Sequence, residues 1–289
     1  MMNPLKVLSF FIVSAAFLGL ANAGAQDKVY TEQGAVHNGR VMKVDAEGVW
    51  IDLGGAQSKI KRSDVTRVEI PIPPEANEAF KLHDSGQYAA ASAKLELVMS
   101  RYEGLPQDWI EQAGYMLADC HLKNNDYAKA LEIFQRTEKF FPDSPRIATS
   151  IAGRARAAFG LKDYDGAVKL LEPLIADKEK VVGLTDQDKN DLASACLTLG
   201  ECRYAQGEKA KALESFLKVT ALYDVNASAV SEALYWSGVV FEETNNLQRA
   251  AGQYKDFLKT AAESPRAGDA RNRLQKLESK LPKDQLKNS

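Results

Sequence analysis

Gly86-Gln87-Tyr88 stands before Ala91, Asn125-Asp126-Tyr127 before Ala130, and Lys162-Asp163-Tyr164 before Ala167; Gly207-Glu208-Lys209 precedes Ala212, and Asn245-Asn246-Leu247 precedes Ala250. Four residues after each marker alanine comes a large apolar residue: Leu95, Phe134, Leu171, Phe216 and Tyr254. Twelve residues before it sits a small one: Ala79, Ala118, Ala155, Gly200 and Gly238. The marker alanines are 39, 37, 45 and 38 residues apart. A small residue on one helix lets a second helix approach closely, and the large residue on the second fills the space beside it. No such hairpin buries its apolar face alone, so the units must stack into one continuous core.

This pattern resembles the tetratricopeptide repeat (TPR), a helix–turn–helix unit, and five units in register cover residues 75–264. Stretches such as Leu234-Tyr235-Trp236-Ser237-Gly238 and Phe140-Phe141-Pro142-Asp143-Ser144-Pro145 resemble envelope TPR proteins, the outer-membrane assembly lipoprotein and the periplasmic cell-division coordinator being the nearest types. No Cys follows the apolar run at the N-terminus, and no N-terminal coiled coil is visible. The longest interval, between Ala167 and Ala212, holds an insertion from Lys178 to Lys189. Thr185-Asp186-Gln187-Asp188 there predicts a helix start, and a first helix about a turn longer than its neighbours. Residues 265–289 read as an amphipathic capping helix and a basic tail, with Lys+Arg 7 and Asp+Glu 3.

Residues 1–23 carry Lys6, an apolar run from Val7 to Leu20, and Ala21-Asn22-Ala23, the order of features in a secretory signal peptide. The mature chain is therefore expected to start at Gly24 and to be soluble and periplasmic, in association with the outer membrane as one option. Residues 24–74 change to a period of two. Val49, Ile51 and Leu53 share a face, as do Met42 and Val44, and Val68 and Ile70, with turn signals at His37-Asn38-Gly39, Asp45-Ala46-Glu47-Gly48 and Gly54-Gly55. Four or five short strands predict a closed or half-closed barrel, and their spacing resembles SH3-like or Sm-like modules. Trp50, on the face opposite Val49 and Ile51, is either a binding aromatic or a contact to the next domain, and the contact is the favoured reading. The expected architecture is thus mainly α: a TPR solenoid with a small N-terminal β barrel.

The chain has 289 residues and a net charge of −2, which argues against bulk nucleic-acid binding. Its three His are scattered, and it has no HExxH, paired CxxC, P-loop or GxSxG pattern, so neither an enzyme nor a metal or other cofactor is expected. Cys120, Cys196 and Cys202 read as buried free thiols. The TPR resemblance implies a concave groove lined by first helices. Mapped onto this chain it places Tyr115, Asp119, Leu122 and Lys123 there from the second unit, and Arg156 and Phe159 from the third. Leu197, Glu201 and Tyr204 follow from the fourth, and Glu232, Tyr235, Glu242 and Glu243 from the fifth. The Lys/Asn set with which some family members clamp a terminal carboxylate is missing, because Ala76 and Phe80 occupy its first two positions. A protein or peptide of the cell envelope is the expected partner, with the basic tail a candidate for peripheral membrane contact. The alternative is a cell-wall adaptor acting through the β module.

Overall fold

The computed structural model describes residues 26–281, so the expected signal peptide and the end of the basic tail lie outside the described residues. Five strands come first: β1 (Asp27–Thr31), β2 (Val36–Asp45), β3 (Gly48–Asp52), β4 (Gln57–Ile60) and β5 (Val65–Glu69). They form one antiparallel sheet in the order β4-β3-β2-β1-β5. The long β2 serves two partners. Residues 36–39 pair with β1 and residues 40–45 with β3, with a register shift between Val41 and Lys43. Gly39 sits at that handover, where a Cβ would run into the Asp52 carbonyl, so the bend needs a residue without one.

Of the closed or half-closed forms expected, the closed one does not form, since β4 and β5 do not pair and the sheet stays open. What covers its apolar face is the helical region. Val29, Val41, Val49, Ile51, Ile60, Val68 and Ile70 share one buried cluster with Val98, Tyr102, Leu105, Trp109 and Ile110. Polar ties fix the docking. The Ile70 N–H donates to Gln107 Oε1 (2.9 Å), while Gln107 Nε2 (2.8 Å) and Trp109 Nε1 (2.9 Å) both donate to the Ile70 carbonyl. Arg101 donates to the Val41 carbonyl and Arg62 to the Glu103 carbonyl. Trp50 departs from expectation too. Its indole lies on the outward face between the ammonium groups of Lys43 (4.9 Å) and Lys59 (5.3 Å) and donates to Asp45, so its partners are all in the sheet.

The remaining elements are helices in antiparallel pairs: α1 (Pro74–Asp84) with α2 (Tyr88–Tyr102), α3 (Asp108–Lys123) with α4 (Tyr127–Phe140), and α5 (Ile147–Gly160) with α6 (Tyr164–Lys178). Then come α7 (Asp186–Ala205) with α8 (Lys209–Leu222), α9 (Ala227–Glu243) with α10 (Leu247–Thr260), and a lone α11 (Ala267–Glu278). Pro74 opens α1 at its first turn, where a missing N–H costs nothing. Every hairpin turn is closed in the same way. Gly86, Asn125, Lys162, Gly207 and Asn245 all have φ between +59° and +80°. The next residue's N–H reaches back along the chain: Gln87 to Leu82, Asp126 to His121, Asp163 to Ala158, Glu208 to Arg203 and Asn246 to Phe241. This Schellman geometry satisfies the last carbonyls of each first helix and aims the second back along it. The motif that marks the repeats in the sequence is therefore the residue set that makes the turn.

All five marker alanines are fully buried. The small–large pairing is direct at two units. A Cβ on Gly200 would collide with the Phe216 ring, and one on Gly238 would lie 2.7 Å from the Tyr254 ring. The insertion ends in the capping box read from the sequence. Thr185 Oγ1 accepts from the Asp188 N–H and the Asp188 carboxylate accepts from the Thr185 N–H, and α7 runs for 20 residues.

Candidate functional site: the concave groove

First helices α3, α5, α7 and α9 stand side by side and form a concave face. At its centre is a recess of about 400 Å³, bounded by residues from all four. Its floor is polar. Asn226, the N-cap of α9, donates from Nδ2 to Asn190 Oδ1 of α7 (2.6 Å), while its own Oδ1 accepts from the Ala229 N–H. Asp191, 8% exposed, accepts from Thr149 Oγ1 of α5 (3.1 Å) and from Gln187 Nε2 (2.9 Å). Burial pushes the Asp191 carboxyl above its usual value, and these two donors oppose that shift.

Three of the carboxylates at the recess are paired with a basic group from another repeat or from the helix that follows. His83 Nε2 of α1 is 3.0 Å from Asp119 Oδ2 of α3, and this contact raises the His83 pKa. Arg156 Nη1 of α5 donates to Glu201 Oε2 of α7. Arg266 Nε donates to Glu232 Oε2 (2.7 Å), with its guanidinium over the rings of Tyr235 and Trp236. Burial raises the Glu201 carboxyl and Arg156 pulls it back.

Of the residues mapped from the repeat pattern, Asp119, Leu122, Lys123, Arg156, Leu197 and Glu232 line the recess. Glu201 lies beneath, 6% exposed, held by Arg156. Tyr115 and Tyr235 are buried in the packing between helices, Tyr235 donating to Asp269 (2.7 Å). Phe159 packs against Tyr164 with Arg156 over its ring. Tyr204 lies against Trp236 and donates to Glu243 (2.6 Å). Glu242 accepts from Tyr254 and Arg273. The repeat mapping passed over Thr149, Asn190, Asp191, Ser194, Asn226 and Ser228, which supply the recess with its polar lining. Part of the signal was visible: Thr185 starts α7 early, and the extra turn carries Asn190 and Asp191 to the groove.

Other chemistry is sparse. The three cysteines are free and buried, and burial pushes each thiol up to about 12. Among the described residues no group of three or more His, Cys, Asp or Glu could hold a metal ion, and no helix is long and apolar enough to cross a membrane.

Comparison with known proteins agrees with this architecture. Residues 84–174 match the family model described as anaphase-promoting complex, cyclosome, subunit 3, and residues 197–267 match a tetratricopeptide-repeat model. No curated protein matches the chain. Among solved structures, a point variant of a Podosopora anserina putative kinesin light chain with nearly identical TPR-like repeats is 19% identical. It aligns over 66% of this chain and 95% of its own, with a TM-score of 0.50. BtubC (BKLC) from P. vanneervenii is 15% identical, over 65% of this chain and 78% of its own, with a TM-score of 0.52. The two family matches fall on the hairpins marked by the buried alanines, and the helical region of this chain is a tetratricopeptide-repeat solenoid.

Proposed function

We propose that this protein is a non-enzymatic scaffold that holds a partner peptide or protein in the concave groove, within an assembly or division complex of the cell envelope. The observation that supports the reading is the recess itself. It joins four consecutive first helices, and its floor of amide and hydroxyl groups can bond a main chain that has lost its water. The envelope setting rests on the signal-peptide pattern of residues 1–23. Cross-linking from Leu197 in intact cells, followed by mass spectrometry, tests the groove: a reproducible partner adduct is expected, and none from exposed Leu97 on α2. N-terminal sequencing of the fractionated protein tests the setting, with Gly24 expected as the first residue.

One observation favours the alternative, a cell-wall adaptor working through the sheet. Trp50 presents its indole on the outward face, flanked by two lysines. Trp50→Ala separates the two readings. The groove reading expects the Leu197 adduct to survive it, and the adaptor reading expects retention on purified cell wall to vanish.

A further inference from the structure

We propose that the recess seats a basic side chain of the bound peptide, Lys or Arg, with the Asp191 carboxylate as its counter-ion; this rests on the groove reading above. The argument is one of unmatched charge. Each of the other carboxylates at the groove already has a basic partner: Asp119 has His83, Glu201 has Arg156 and Glu232 has Arg266. Asp191 is buried almost as deeply as Glu201, yet its hydrogen bonds come from neutral groups, Thr149 and Gln187. Among the described residues no cation lies within ion-pair distance of it; Lys178 acts on it only from beyond that distance and is engaged by Asp188.

A carboxylate taken out of water without a counter-charge is costly, and an arriving cation recovers much of that cost. The recess has the volume for a long basic side chain, and the Ser194 and Ser228 hydroxyls on its wall can accept from the remaining donors of an ammonium or guanidinium group. In the opposite arrangement an acidic group of the partner would either displace the contact that Arg156 already makes with a buried carboxylate or stay in water beside Lys123, which is exposed at the edge of the recess.

The test selects decapeptides from a displayed random library on the full-length protein. Enrichment of Lys or Arg at one position is expected. A selected peptide is then remade with that residue neutral, citrulline for Arg or norleucine for Lys. On the unchanged protein the swap is expected to weaken binding by about tenfold or more. On Asp191→Asn, which keeps hydrogen bonds to Thr149 and Gln187 within reach, it is expected to make little difference. Ser194→Lys supplies a competing cation from the wall without touching Asp191, and is expected to abolish the preference even where Asp191→Asn folds poorly. Enrichment of acidic residues, or an equal cost of the neutral swap on all three proteins, overturns the proposal while leaving the groove reading standing. Failure to enrich any peptide overturns both.

Discussion

Arg156 on α5 reaches across to Glu201 on α7, so the third and fourth hairpins are joined by an ion pair whose acidic partner is buried and whose basic partner is half in water. Breaking such a pair from one side strands a charge in the packing. Arg156→Ala is expected to destabilise the protein by about 2–4 kcal/mol, toward the low end for buried pairs because the guanidinium is partly solvated. Glu201→Gln in the same background should recover most of it. The loss also depends on pH. The folded-state pKa of Glu201 lies above 4.5, so the fold binds a proton more readily than the unfolded chain there, and stability declines as pH rises from 4.5 through the folded value. Removing Arg156 raises that value further. The Arg156→Ala penalty should therefore be larger at pH 8 than at pH 5, as denaturant melts at the two pH values would show.

Lys162 closes the third hairpin turn with φ +65°, at the position where the first and fourth turns use Gly86 and Gly207. A side chain in this left-handed region costs roughly 1–2 kcal/mol, and glycine gives back part of the gain through its looser unfolded state. Lys162→Gly is expected to stabilise by about 0.5–1 kcal/mol. Gly207→Ala should move the melting temperature in the opposite direction.

The contact of Gly238 with Tyr254 leaves no room for a methyl group, and Tyr254 is fully buried. Gly238→Ala is expected to cost about 1–3 kcal/mol, as overpacking does elsewhere. Phe134→Ala creates a hole instead of a clash, in the buried cluster it shares with Ala118 and Leu117, and is expected to cost about 3–5 kcal/mol. Equilibrium unfolding of both variants would show whether the two halves of the small–large rule carry comparable weight.

His83 and Asp119 tie α1 to α3 at the rim of the groove. The hydrogen bond that His83 donates to Asp119 raises the His83 pKa above 6.5, so its contribution to stability is fully present below 6.5 and is lost as pH rises through the folded value. A proton NMR titration should place the His83 midpoint above 6.5 and move it down in Asp119→Asn. An unmoved midpoint would mean that the contact does not form in solution.

The helical architecture was legible because each hairpin advertises its own chemistry: at four of the five turns a glycine or asparagine tolerant of positive φ, then in every unit an alanine and a large apolar residue one turn on. The strands were legible from their alternation, but their closure was not. Alternation reports which face is apolar and is silent on whether strands or helices cover it, and here Trp109, Leu105 and Tyr102 do so from a distance in sequence. Trp50 was misplaced for the same reason: its face was read correctly and its neighbours were not. At the groove, a register borrowed from an average repeat named Asp119, Arg156 and Leu197, which lie on the lining of the recess. It also picked out Tyr115 and Tyr235, because an aromatic that anchors a ligand and one that fills a gap between helices occupy neighbouring steps of the same helix. Asp191 escaped because the lengthened α7 adds a turn that an average repeat does not number.

The core shared by the sheet and the first helices gives the array a direction. A stack of hairpins behaves as a one-dimensional chain in which each unit is held by its neighbours, so the two ends are where opening begins. At the leading end the sheet acts as an end-stop: Ile51, Val68 and Ile70 fill the surface where a preceding hairpin would have packed. Among the described residues the trailing end is covered by α11, which is anchored by Ala267, Ala270 and Leu277 and otherwise turns largely charged residues outward. Unzipping should therefore run from the C-terminus inward. Amide exchange would be fastest in α11, slower through α9 and α10, and slowest where α2 and α3 meet the sheet, so that the groove's last helix flickers open while its first stays shut.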